Sequence, residues 1–267
     1  MGKKRREIPI FDHPIIETHC HLDYLKECEL SETIDASKNY GVEKIITISV
    51  EPGNLDTALE IAKSHDSIYC TQGIHPHKAS TWNNDVKKKI TENLSNQEVV
   101  AVGEIGLDYY YNKSPREEQI TAFKDQLDLA IENDLPVVIH TRDADEDTIK
   151  ILKEYAPKLK RKGVIHSFTS SLELAKIAIE LGFYLGFNGI ITFKTAQNVR
   201  DVLTICPIDR ILLETDAPFL TPVPYRGKEN APKYLPFIAE FIANHKEILL
   251  KDLLLNCYKN SKVLFSL

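Results

Sequence analysis

No apolar run in this 267-residue chain approaches the ~20 residues that a membrane-spanning helix needs, so a helical membrane anchor is not expected. Positive charge is not in excess. Lys and Arg number 33 against 39 Asp and Glu, a net charge of −6. A globally basic nucleic-acid-binding surface is thereby excluded, and any phosphate ligand must be held by local cations or by metal. Cysteine is sparse, with five residues, an odd count that includes no CxxC spacing. That argues against a disulfide framework or a zinc knuckle and for reduced thiols in a cytoplasmic protein. The basic start, Lys3-Lys4-Arg5-Arg6, is followed by no apolar stretch and is not a secretory signal. Residues 1–12 are expected to form a flexible basic arm. No Gly/Ser-rich linker, repeat or low-complexity tract divides 13–267, so one domain is expected there.

What the chain does have is a regular alternation of short apolar runs and helical stretches. The runs predict strands over 15–21, 44–50, 68–73, 99–104, 136–140, 163–167, 184–187 and 211–214. Helices are predicted between them, the longest over 116–133, where Ile120, Phe123, Leu127 and Ala130 fall at helical spacing. Two further helices, near 233–245 and 251–265, close the chain. Eight strands with intervening helices predict an α/β fold, a single-domain (β/α)8 barrel. A doubly wound open sheet is the alternative architecture.

The strands end alike. His19 and His21 close the first; two residues apart on a strand, their imidazoles leave the same face and can serve one metal ion. His75 and His77 follow the third strand, Glu104 closes the fourth, His140 the fifth and His166 the sixth, and Asp216 follows the eighth. The carboxyl face of a barrel is where catalytic groups collect. A lone strand histidine is usually a hydrogen-bonded structural residue; the joint pattern is what argues for metal. Glu104 ends an apolar strand, and a carboxylate there needs cationic partners. Its two oxygens can bridge two ions, as in two-metal hydrolytic sites. His19, His21 and Asp216 would serve one divalent ion, and His140 and His166 the other. Mg²⁺, Mn²⁺ and Zn²⁺ all remain open. Glu214, two residues before Asp216, is expected to face the interior and orient a ligand.

In order along the chain stand THCHLD (18–23), GIHPH (73–77), VGEIGLDY (102–109), PVVIHTRD (136–143), HSFT (166–169), GIITF (189–193), LETDAPFL (213–220) and PYRGK (224–228). This set resembles the TatD family of metal-dependent deoxyribonucleases, within the amidohydrolase-like barrels. The resemblance implies a hydrolase of phosphodiester bonds, acting on DNA as a 3′→5′ deoxyribonuclease with two divalent ions. By position it implies His19, His21, Glu104, His140, His166 and Asp216 as ligands, with Asp216 and Glu104 central to catalysis. It implies phosphate contact for His75, which is not a usual ligand in the family. Arg142 and Arg226 are candidates for holding phosphate oxygens. Glu17 stands where the family usually has Asp, and Ser167 where it often has Cys. Two rival readings are an amide or acyl-ester hydrolase, for example on aminoacyl-tRNA, and a non-catalytic metal-binding barrel. No membrane or obligate protein partner is inferred.

Overall fold

Aliphatic and β-branched runs make strands that are buried on both faces, as a parallel sheet covered by helices requires. The computed structural model describes residues 5–267 and holds eight such strands: β1 (Ile15–Cys20), β2 (Val42–Thr47), β3 (Ile68–Gln72), β4 (Val99–Asp108), β5 (Val137–Arg142), β6 (Gly163–Ile165), β7 (Tyr184–Phe187) and β8 (Ile211–Leu213). The helices are α1 (Leu30–Asn39), α2 (Leu55–Lys63), α3 (Asn84–Asn93), α4 (Arg116–Glu132), α5 (Asp145–Tyr155), α6 (Leu172–Glu180), α7 (Gln197–Ile205), α8 (Leu235–His245) and α9 (Leu250–Phe265). Each strand pairs in parallel with the next, in the order β1 to β8. At the seam, Asp216 N donates to His19 O (2.9 Å), His21 N to Ala217 O (2.7 Å) and Thr18 Oγ1 to Leu213 O (3.0 Å). The expected (β/α)8 barrel is the architecture found.

The core has two parts. The larger lies between the sheet and the helices; α4 buries Phe123, Leu127 and Ala130 there, with Ile120 partly buried beside them. A separate cluster joins Ile46, Val100, Val138, Val164 and Leu212 to Leu264 and Phe265 at the end of α9. By the two-residue period of a strand, Val138, Val164 and Leu212 share a face with His140, His166 and Glu214. This inner layer fills the barrel beneath those polar groups.

β4 differs from expectation in a way that matters for the site. Sequence reading ends it at Glu104, whereas the strand continues to Asp108. Its register against β5 runs Gly103↔Val138 and then Ile105↔Ile139, so Glu104 is the extra residue of a bulge. The Glu104 amide leaves the ladder and donates to Ser49 O (3.1 Å). Gly106, at φ +138°, lies so close to the His140 carbonyl that a Cβ would collide with it. That glycine reads as a strand breaker; here it lets the strand resume.

Of the N-terminal arm, residues 1–4 lie outside the described residues. Arg6 makes a forked ion pair with Glu240 of α8 (2.5 and 2.6 Å), and Tyr225 Oη donates to Arg6 O (3.0 Å). Among the described residues no helix is long and apolar enough to cross a membrane.

Candidate metal centre

All six residues expected to ligate metal meet at the carboxyl end of the barrel. β1 delivers His19 and, one residue past its end, His21. β4 delivers Glu104, β5 His140, and the residue after β6 is His166. Asp216 lies three residues past β8 at φ 58°, a left-handed conformation that carries the chain back toward the seam. His19, His21, Glu104 and His166 are buried.

The carboxylate of Glu104 sorts the imidazoles into two groups. Oε2 faces His19 Nε2 at 3.5 Å. Asp216 Oδ1 completes that side, 3.7 Å from His19 Nε2 and 3.6 Å from His21 Nε2. Oε1 faces His166 Nε2 at 2.7 Å, His140 Nδ1 at 3.0 Å and His75 Nε2 at 3.3 Å. Two clusters with metal-ligand spacing result, His19–His21–Glu104 and His75–Glu104–His140, and Glu104 belongs to both. A third, His19–His166–Glu214, lies deeper.

Hydrogen-bond partners decide which ring nitrogens have a lone pair to give. His21 Nδ1 faces Ile48 O (3.3 Å), so it carries the proton and Nε2 is free for a cation. His140 Nε2 faces Asp108 Oδ2 (3.1 Å), which leaves Nδ1 free. His75 is the reverse case. Its Nδ1 accepts the His77 amide (3.0 Å), so a neutral His75 bears its proton on Nε2 and points a donor at Glu104 Oε1. His75 therefore belongs with the donors of this pocket and not with the lone-pair groups, although its spacing fits a ligand.

Asp108 is the residue that sequence reading missed. Its Oδ2 accepts from both His77 Nε2 (2.9 Å) and His140 Nε2 (3.1 Å), and its Oδ1 accepts from Tyr111 N (2.8 Å). The signal was its place four residues past Glu104, hidden because Gly106 interrupts the run between them. Glu214 is fully buried, accepts from Ser167 N (2.6 Å) and stands 3.7 Å from His166 Nδ1. Glu17 Oε1 accepts from His19 N (3.0 Å) and Thr215 N (2.9 Å), tying β1 to the strand 8 side of the seam. Burial pushes the Glu17 carboxyl up to about 8.

The donor set fits divalent cations. Both ring nitrogens of buried His19 lack a hydrogen-bond partner among the described residues, as does His166 Nδ1. Buried polar atoms without partners are rare unless an ion or water serves them. The charge states point the same way. Burial works to raise Glu104, but His166 and His75 outweigh it and hold the carboxyl well below its usual range. Burial works to lower His166, but Glu104 and Glu214 hold it well above 6.5. His140 and His21 are raised too, against burial, chiefly by Asp108 and by Asp216 respectively. Burial pushes His75 down to about 4. Burial and His166 lower His19, so the carboxylates' demand for positive charge falls on His21, His140 and His166.

A cavity of about 1040 Å³ opens above these residues and is lined by His21, His75, Glu104, His140, His166 and Asp216 among others. Arg142 reaches it and lies over the rings of Tyr110 (3.9 Å) and Tyr111 (4.8 Å). Arg226 does not line it; its guanidinium lies over Phe193 (4.0 Å).

A (β/α)8 barrel with imidazoles and carboxylates gathered at its strand ends is the build of a metal-dependent hydrolase. The family model described as TatD related DNase matches residues 16–266, and the chain belongs to that family. It is 39% identical over 252 residues to an uncharacterized metal-dependent hydrolase, YabD, of Bacillus subtilis, covering 94% of this chain and 98% of the relative. It is 36% identical over 218 residues to a protein named 3′-5′ ssDNA/RNA exonuclease TatD of Erwinia tasmaniensis, covering 79% and 84%. The crystal structure of YJJV, a TatD homologue of Escherichia coli, superposes with a TM-score of 0.89 at 30% identity, covering 95% of this chain and 98% of that one.

Proposed function

We propose that this protein hydrolyses phosphodiester bonds with two divalent ions, acting as a 3′→5′ deoxyribonuclease. One observation carries the reading: the two oxygens of Glu104 face two separate sets of nitrogen and oxygen donors. The name of the Erwinia relative supports the choice of nucleic acid as substrate. His19, His21, Asp216 and Glu104 would hold one ion, and Glu104, His140 and His166 the other. Such a pair supplies a lowered water pKa and stabilises charge on the leaving oxygen.

The chain's own residues do the rest. Asp216 Oδ1 lies at the mouth side of the cluster and accepts the proton of a water whose oxygen bonds to phosphorus, as the bond from phosphorus to the leaving sugar oxygen breaks. The Arg142 guanidinium donates to the non-bridging phosphate oxygens, while His75, expected to contact phosphate, has its one N–H aimed at Glu104 Oε1 and holds that carboxylate in place. Glu214 holds His166 in place from below.

The test is digestion of end-labelled single-stranded DNA by metal-stripped protein resupplied with Mg²⁺, Mn²⁺ or Zn²⁺, with Asp216→Asn as control. Asn tolerates the left-handed backbone of position 216, so the control keeps the fold. Stepwise shortening from the 3′ end, lost in the control, is expected. No cleavage with any ion would overturn the reading.

A further inference from the structure

The mouth of the cavity carries aromatic rings for which the hydrolytic chemistry has no use. Tyr110 and Tyr111, in the loop after β4, are 57% and 53% exposed; Phe219, in the loop after β8, is 51% exposed. In a barrel ordered β1 to β8, β4 and β8 stand on opposite sides. Tyr111 and Phe219 line the same cavity as Glu104 and Asp216. Both hang from backbone tied to the centre. Tyr111 N donates to Asp108 Oδ1 (2.8 Å), and Phe219 N donates to Asp216 O (2.9 Å).

Packing accounts for the neighbouring Tyr109, which is partly buried with its hydroxyl bonded to Asp147 (2.7 Å). It accounts only in part for Tyr111, which meets His77, Tyr110 and the Arg142 guanidinium, and for Phe219, which meets His21, since more than half of each residue stays exposed to water. Fixed, exposed apolar surface beside a catalytic cavity marks a binding surface. The wall at Tyr111 also bears Arg142 and Lys113, which line the cavity in a protein of net negative charge. Flat apolar rings beside guanidinium and ammonium groups suit a ligand that alternates flat bases with phosphates.

We propose that Tyr111 and Phe219 form a nucleobase subsite, on which unpaired bases at the chain end stack while Arg142 takes a backbone phosphate. The proposal rests on the phosphodiester reading and adds the reason for strand preference. Stacking on an aromatic ring tolerates any base, because every base has a π-face. In a duplex both faces of an internal base are covered by neighbours, so the subsite selects single-stranded ends.

Steady-state kinetics of the ion-loaded enzyme test this. Substrates are a single-stranded oligonucleotide, the same oligonucleotide with abasic residues at its 3′ end, and a blunt duplex. Variants are Tyr111→Ala, Phe219→Ala and Tyr111→Phe, each checked for metal content. For the normal strand, each Ala variant is expected to raise KM about tenfold, as loss of one stacked base predicts, and Tyr111→Phe to restore it. The wild type is expected to handle the abasic strand and the duplex poorly, and the Ala variants to lose nothing more on the abasic strand. Unchanged KM in both Ala variants, or equal losses on normal and abasic strands, would overturn the subsite while leaving the nuclease reading intact. A wild type inactive on every phosphodiester would overturn both.

Discussion

A carboxylate four residues beyond Glu104 sets the tautomer of His140. Asp108 accepts three N–H donors on two oxygens, so an amide in its place must turn an NH₂ toward one of them. Asp108→Asn should therefore weaken ion binding by about 10–100-fold, the usual effect of losing a partner behind a ligand. Calorimetric titration with the ion reads this directly, and an unchanged Kd would show that His140 is oriented by other means. Protonation gives a second expectation. The raised His21, His140 and His166 contribute stability to the ion-free protein that is full below pH 6.5 and lost as pH rises through their folded values. Ions displace those protons, so binding should release protons near neutral pH and tighten as pH rises from 6 to 8. Titrations in two buffers of different ionisation enthalpy measure the release, and none would contradict the protonation pattern. At this scale the sequence was most informative where a polar residue ends an apolar run, as at His19, Glu104, His140 and His166. Asp108 was not legible, because Gly106 interrupts the run before it, nor were Tyr111 and Phe219, because loop aromatics follow no period that tells exposed from buried.

Among the elements, β4 carries the most consequence. Its bulge turns Glu104 out of the ladder, and Gly106 restores pairing by lying against the His140 carbonyl. Gly106→Ala places a Cβ at φ +138°, against that carbonyl. Such backbone strain costs about 1–3 kcal/mol, and pushing β5 away displaces His140. Denaturant unfolding should show that loss of stability together with weaker ion binding; stability unchanged from wild type would mean that β4 adjusts freely. The helix α4 and the strand β7 run close to expectation, whereas β6 and β8 stop short of the predicted 163–167 and 211–214. There the chain leaves the ladder early so that His166 and Asp216 can turn into the mouth, a tertiary demand that no local pattern encodes.

Taken whole, the molecule gathers its buried carboxylates and imidazoles at one end of a barrel filled below by aliphatic side chains. A bound ion that prefers the folded state stabilises it by mass action, about 2.7 kcal/mol at a free concentration 100 times Kd. Chelated protein should melt at a lower temperature than ion-loaded protein, and equal melting temperatures in a thermal scan would argue against ion binding at this end. The eightfold alternation made the barrel legible from the sequence, since each βα unit repeats one local pattern. The way the ring closes was not, because the seam joins segments far apart, Glu17 and Thr215 being 198 residues distant. That distance has a consequence for biosynthesis. During translation His19, His21, Glu104, His140 and His166 all emerge before Asp216, which alone brings the far side of the seam. A nascent polypeptide that has passed His166 but not yet reached Asp216 would thus carry five of the six donors yet lack the residue that completes the centre, and competence would arrive only when the ring shuts.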